Sequence, residues 1–553
     1  MEFNERELAR QEEAIALVND KRPPARSAAR ASKQAQQQQA IRKKRTVAIG
    51  MGVFLILYVA KLFFEGLAYQ PVYQDFARFN VGVYQQEVLN TGLLSGICNS
   101  VLWTSLWDKL HIASFALSAM YFVAIALLYQ VFSRHFKVTF VFLAVAMLSP
   151  LMIPGVYYMS AAVSIVPPLF FMALSVWCLQ RVADTKSLLC MALFFIFQVL
   201  SFCFCKQVAC LSAVLALMVT WYNSREINWG SVLVTILDGA LVAAVYYLIA
   251  RFDGVQMLDI GRFTGSFGDI VKEIWQVLFH VGNGLIWQDI GSGFSMLAKE
   301  SIAYLPLLMI LAGGAAALAF LMQDGVSHAP VLKKVEEGIW CVLVTIAPLV
   351  PMFFLAGARF SLASAATCTV GAALLINLVY REIFGFSAVT RLVGSGVCGV
   401  LIFLLSVGSI YEIGLYNEAG ALDDQLVEEV YQEVRQTDGS QQILLFNTQS
   451  YLGEGYQWQE HILRVSCDEQ TMQDALVARN GSTNVGKLTL VSEEEIQSGR
   501  AFAAEEFRRY DILLGLVDGH VVRLQLQESE TGYNLLDESG KVMWSGEPQA
   551  VQT

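Results

Sequence analysis

Between about Thr46 and Ile410 the chain is a succession of long apolar runs separated by short polar connections. A bilayer requires roughly 20 apolar residues for each helical crossing, and this stretch has room for many. The chain is therefore expected to be a polytopic α-helical membrane protein. Charged residues make up 16 % of the 553 positions, against about a quarter in soluble domains. They concentrate in the first 45 residues and in the tail after residue 410.

Three regions follow from that segregation. Residues 1–45 begin with a charged helical stretch (2–19), continue through Pro23 and Pro24, and become rich in Ala, Gln and Arg. Such a composition cannot bury a core, so it reads as disordered or lipid-associated. It ends in Arg42, Lys43, Lys44 and Arg45, directly against the first apolar run. Basic residues there fit anionic inner-leaflet lipids; without interleaved aromatics they do not form a nucleic-acid surface. Residues 46–410 carry the helices, and residues 411–553 have soluble composition with an acidic balance.

The first run, Thr46 to Phe64, starts too far into the chain for a secretory signal and reads as an uncleaved anchor. Further spans are expected near 112–132, 138–157, 159–180, 187–204, 207–222, 229–250, 302–322, 338–356, 361–380 and 391–410, about 11 in all. With the amino terminus inside, the short inner loops hold Arg134, Lys137, Arg181, Lys186, Arg225, Lys333, Lys334, Arg381 and Arg391. Basic residues are enriched in cytoplasmic loops, so an odd number of spans puts the carboxyl-terminal domain outside, at the plasma membrane. Two outer connections are long, 65–111 and 251–301. The second contains Ile270, Ile274, Val277 and Leu278 on one helical face, as in a helix lying in the interface or over the bundle.

The carboxyl-terminal region reads as a small α+β domain. An amphipathic helix at Leu422–Arg435 precedes strands at Gln442–Phe446, Ile462–Val465, Lys487–Val491 and Ile512–Leu516. A meander over Val521–Gln527, Gly532–Leu536 and Lys541–Trp544 closes it. It holds no grouping of catalytic residue types and no phosphate loop, which points to binding or a structural role. Eight of the ten cysteines fall in or beside apolar runs; Cys98 and Cys467 lie outside, and whether they pair stays open.

Ionisable groups at membrane depth, or just beyond it, are the informative ones because burying them has to be compensated. Asp75, within PVYQDFARF, is flanked by Tyr73 and Phe76; it is a general base, a cation ligand or a solvated loop acid. Lys206 and Arg359 are the basic residues that break the charge rule in short outer turns. They snorkel to the interface, or they recognise a phosphate. Asp238 is the deepest acid, lying near the middle of VLVTILDGALVAAVYYL. It is held inside the bundle or belongs to a proton or ion pathway.

Taken together, these features resemble the GT-C superfamily of membrane glycosyltransferases, including protein O-mannosyltransferase-like and related lipid-linked sugar transferases. Members have an inside amino terminus and a first outer loop with a catalytic acid, often in an acidic pair. The matching stretch here is Gln74-Asp75-Phe76. A Lys-Glu pair after a Ser-rich turn is matched by Lys206 and Gln207, and a late outer Arg-aromatic turn by Arg359, Phe360 and Ser361. Gln74 and Gln207 stand where relatives have acids, a departure that also fits an inactive relative. The resemblance implies a polyprenyl-phosphate-linked sugar as donor and an envelope acceptor. Asp75 would be the catalytic acid, with Lys206, Arg359, Gln207 and Gln74 binding substrate. It calls for no cofactor, and a divalent cation has no ligand set in its support. Membrane lipid is a partner in any case, and residues 411–553 are the surface for an envelope protein. Two other functions stay open: a transporter or flippase coupled through Asp238, and a non-catalytic scaffold for envelope assembly.

Overall fold

The computed structural model describes the chain from Tyr69 to Gly546 apart from internal stretches, the longest being 78–91, 254–267, 354–365 and 453–461; residues 1–51, 53–68 and 547–553 are not described. The first expected span and the interfacial pattern at Ile270–Leu278 lie outside the described residues.

A helical bundle is followed by a small domain containing sheet. The helices are α1 (Tyr73–Ala77), α2 (Leu93–Ser105), α3 (Leu110–His135), α4 (Phe140–Leu148), α5 (Ile153–Val156), α6 (Met159–Thr185) and α7 (Leu188–Phe204). They continue with α8 (Gln207–Ser224), α9 (Trp229–Asp253), α10 (Gly282–Lys299), α11 (Tyr304–Met322), α12 (Val331–Ile346), α13 (Thr369–Phe384) and α14 (Ala388–Val434). Three of the described helices are long and apolar enough to cross a membrane: Leu110–His135, the Ala161–Thr185 part of α6, and α14. Shorter apolar helices include Leu188–Phe204, Gln207–Asn223, Val232–Leu248 and Leu305–Leu321.

Three of the expected spans take a different form. The run 338–356 is α-helical only to Ile346, where α12 ends, and continues as a 3₁₀ helix over Ala347–Phe353. The run 138–157 is not one helix: α4 ends at Leu148, Ser149 is extended, and a 3₁₀ turn at Pro150–Met152 leads into the single turn of α5. Pro150 and Pro154 have no N–H to continue the ladder, so helix stops there. In contrast, the span expected to end at residue 410 does not end. α14 starts at a capping box, in which Ser387 and Thr390 each satisfy the other's backbone N–H, and runs for 47 residues through the separately expected helix at Leu422–Arg435. At 1.5 Å per residue it is about 70 Å long, roughly twice a bilayer's hydrocarbon core. No proline interrupts residues 411–421, and their inner face is buried.

Polar side chains tie the basic helix ends into one layer. Arg134 pairs with Asp184, and the His135 ring stacks on Tyr222. Trp221 Nε1 donates to Glu336 at 2.7 Å, Thr139 binds Asn377 Oδ1 at 2.7 Å, and Arg381 bridges Glu337 at 2.5 Å. The carboxyl-terminal domain lies at the other end, where Ser409 Oγ donates to Leu148 O at 2.6 Å.

In that domain β1 (Gln442–Thr448) is the centre of a four-stranded sheet of order β2-β1-β3-β4, with β2 at Lys487–Ser492, β3 at Ile512–Val517 and β4 at His520–Arg523. β1 is parallel to β2 and β3. A parallel strand covered on both faces is apolar throughout, and Ile443, Leu444, Leu445 and Phe446 are all buried. Ile443 and Leu445 pack with Leu426, Val427 and Val430 of α14 and with Met472 and Leu476 of α15 (Glu469–Asn480). Leu444 and Phe446 pack on the opposite face with Phe502, Phe507, Tyr533 and Leu535. The β3–β4 hairpin turns at Asp518 and Gly519, both at positive φ (50° and 83°), as a two-residue primed turn requires.

Two expectations for this domain are corrected, and one open question is answered. Ile462–Val465 is no strand; a 3₁₀ turn covers Val465–Cys467, where Arg464 and Val465 are used to bind an acid on α14. The stretch Val521–Gln527 divides at the buried Leu524 into β4 and β5 (Gln525–Ser529). β5 belongs to a separate antiparallel sheet with β6 (Gly532–Leu536) and β7 (Val542–Gly546). Cys98 and Cys467 do not pair; both are free thiols.

Candidate functional site

Asp75 is the sequence-selected residue with the most informative surroundings. Val72 is the N-cap of α1, and Asp75, three residues on, reaches back so that Oδ2 accepts the Val72 N–H at 3.2 Å. This is the acidic half of a capping box. The same oxygen accepts a hydrogen bond from the Tyr69 hydroxyl, and that hydroxyl in turn accepts the Met159 N–H at 3.1 Å. The carboxyl group is therefore linked through one tyrosine to the first residue of α6. It is fully buried.

What covers it is the carboxyl-terminal domain. Phe76 sits in the apolar cluster of α14, α15 and the sheet. The Tyr73 hydroxyl is set against the Thr471 side chain; burial raises its pKa and Thr471 opposes the shift. Thr471 is positioned by Asp468, the N-cap of α15, whose Oδ2 accepts the Thr471 N–H and hydroxyl, both at 2.9 Å. Tyr69 and Val72 pack into the bundle core. Aromatic neighbours were legible around Asp75; burial under a domain some 400 residues later in the chain was not.

The other nominated residues are less visible. Lys206, Arg359, Phe360 and Ser361 lie outside the described residues, as does the side chain of Gln74. Gln207 opens α8 and is half-buried. The turn that precedes it is at the domain end of the bundle. There Ser95 Oγ of α2 donates to Phe204 O at 2.9 Å, and Tyr246 of α9 donates to Cys203 O at 3.0 Å. Upstream of that turn, Ser201 lies inside α7 and donates to Pro168 O at 2.8 Å. Asp238 is fully buried, and neither of its carboxyl oxygens has a hydrogen-bond partner among the described residues. One turn earlier on the same helix, Thr235 Oγ1 accepts from Gln198 Nε2 at 3.1 Å, so this face of α9 is turned toward α7.

The structure adds two acids that hydropathy did not single out. Asp289 of α10 and Glu412 of α14 are both fully buried. By hydropathy Asp289 falls in the outer connection 251–301 and Glu412 just past the span at 391–410. The available signal was one acid set among apolar neighbours, as in LIWQDIGSGF and SIYEIGL. Both groups of acids flank the break between α4 and α6. Pro150 packs on Gly408, one turn before Glu412, while Met159 at the far side of the break holds Tyr69. Among the described residues no group of three or more His, Cys, Asp or Glu forms a metal cluster.

No family model matches this chain, and no curated protein matches it either. A functional assignment therefore rests on the broken helix at residues 148–159, the buried acids on either side of it, and the domain that covers one of them.

Proposed function

We propose that the chain is a membrane glycosyltransferase that moves a sugar from a polyprenyl-phosphate donor to an envelope acceptor at the extracytoplasmic face. The observation that carries this reading is the position of Asp75, at the junction of bundle and soluble domain, accepting a hydrogen bond from the Tyr69 hydroxyl. An acceptor alcohol presented to a catalytic base makes the same bond, so Tyr69 marks where such an alcohol would donate. Lys206 and Arg359 would offset charge on the departing lipid phosphate. The orientation is supported by the gathering of Arg134, Arg381 and Lys334 at the end opposite the soluble domain. The amino terminus and that end are then cytoplasmic.

Transfer from a labelled polyprenyl-phosphate sugar, measured with the full chain in proteoliposomes, tests the proposal. Asp75→Asn is expected to lower the rate by about 10²–10⁴-fold, the usual contribution of a positioned base. Full transfer by both Asp75→Asn and Arg359→Ala would sink the assignment. Asp238 favours a second reading, a transporter: its two carboxyl oxygens lack partners among the described residues, and such acids mark ion pathways. A pH-dependent flux abolished by Asp238→Asn, with no sugar transfer, would replace the first reading by this one.

A further inference from the structure

α10 and α14 approach each other through glycines. A Cβ at Gly293 of α10 would stand 2.8 Å from the Val407 carbonyl oxygen of α14. A Cβ at Gly408 of α14 would stand 3.5 Å from Asp289 Cβ and 2.9 Å from Pro150 Cγ. The Asp289 side chain consequently enters the seam between the two helices at the level of Gly408. Glu412 is one helical turn further along the same face of α14. The two acids are within electrostatic reach of each other, and both are fully buried.

Two carboxylates brought together away from water oppose each other, and each also loses its hydration. Neither carboxyl oxygen of Asp289 has a hydrogen-bond partner among the described residues, so no arginine, lysine or histidine there neutralises it. A proton shared between Asp289 and Glu412 would remove one of the two charges but would still leave the other Asp289 oxygen without a partner among the described residues, which native interiors avoid. A bound cation answers both needs: it offsets the two charges together and gives the Asp289 oxygens a ligand. Oxygen-only ligation selects hard cations. With two protein carboxylates and no third acidic or imidazole group clustered among the described residues, the arrangement suits a small divalent ion that keeps several of its waters.

We infer that Asp289 and Glu412 form a divalent-cation site, of the Mg²⁺ or Mn²⁺ class, that clasps α10 to α14 beside the broken helix. This stands apart from the sugar-transfer reading and needs no donor or acceptor to be tested.

The test uses the full chain in detergent micelles, stripped with chelator and titrated with Mn²⁺. Free Mn²⁺ is followed by electron paramagnetic resonance and unfolding by the thermal midpoint. The wild type is expected to bind one Mn²⁺, displaceable by Mg²⁺, with a rise in the midpoint. Asp289→Asn, nearly isosteric, should bind at least tenfold more weakly. Its chelator-treated form should unfold no earlier than the chelator-treated wild type, because one of two opposed charges is gone. Asp238→Asn should bind Mn²⁺ as the wild type does. Absence of Mn²⁺ binding by the wild type overturns the inference, even if its midpoint varies with pH, as it would for a pair that merely shares a proton. Undiminished binding by both Asp289→Asn and Glu412→Gln overturns it equally.

Discussion

Gly371→Leu is expected to leave no folded protein, and Gly371→Ala to cost about 3 kcal/mol, the upper part of the usual range for overpacking. Gly371 lies on α13 where that helix crosses α12. A Cβ there would stand 2.5 Å from both Cα and Oγ1 of Thr345, and closer still to the Thr345 amide nitrogen. Two of these three are backbone atoms of a helix, not the tip of a flexible side chain, so relief requires the two helices to separate. Thr345 cannot rotate away at no loss, since its hydroxyl donates to Cys341 O at 2.7 Å. Helices in a membrane associate by close backbone approach at small residues, and moving them apart forfeits dispersion contacts along the whole seam. Gly338, on the α12 side of the same pair, is the control. A Cβ there would rest 3.8 Å from Leu378 Cδ2, an ordinary contact. Gly338→Ala should therefore be neutral, or gain up to about 1 kcal/mol from helix propensity. Thermal midpoints and membrane yields of the three variants separate the outcomes; equal losses at Gly371 and Gly338 would show that helix propensity, not approach, governs this crossing.

The contrast between those glycines also marks what the sequence could disclose. Long apolar runs placed α3, α6, α7, α8, α9 and α11 within a few residues of their observed bounds, because an unbroken apolar run bounded by polar residues marks a helix without reference to its neighbours. Pro150 and Pro154 announced a break, yet hydropathy averaged across it and returned a single span. The continuity of α14 stayed hidden because residues 411–421 include Glu412, Asn417 and Glu418, which lower the mean hydropathy without disfavouring helix. Within the soluble domain, short strand-like runs located β1, β2 and β3. The pairing of β1 with both β2 and β3 depends on contacts across 40 to 70 residues, and no local pattern encodes it. Asp75 was identifiable as an unusual acid; its partners Tyr69 and Met159, and the domain above it, belong to tertiary structure. Asp289 and Glu412 gain their meaning only from the helix crossing that joins them.

Continuity of α14 has an energetic consequence where the helix leaves the bundle. Asp423 is fully buried there; Arg464 Nε donates to its Oδ1 at 2.5 Å and the Val465 N–H to its Oδ2 at 3.1 Å. Burial pushes the Asp423 carboxyl up to about 6, against the charge and hydrogen bond of Arg464 and the Val465 N–H. Desolvation thus outweighs attraction, the ordinary situation for a buried ion pair. The pair adds little net stability over an apolar contact of the same shape, but half of it is costly. Arg464→Ala is expected to destabilise the soluble domain by about 3–5 kcal/mol, since it leaves a buried charge uncompensated. The double replacement Asp423→Leu with Arg464→Leu should restore most of that loss, which simple removal of a favourable bond would not. The pH dependence follows from the direction of the shift. A carboxyl whose folded pKa exceeds its ordinary 3.8 contributes stability that is complete below that value and is lost as pH rises through about 6. Without Arg464 only the desolvation and the Val465 N–H remain, so this window moves upward. The Arg464→Ala penalty should accordingly shrink on going from neutral pH to about pH 5, where the lone carboxyl takes up a proton. A penalty that is constant over this range in chemical-denaturation measurements would mean that Arg464 acts through packing and not through the charge of Asp423.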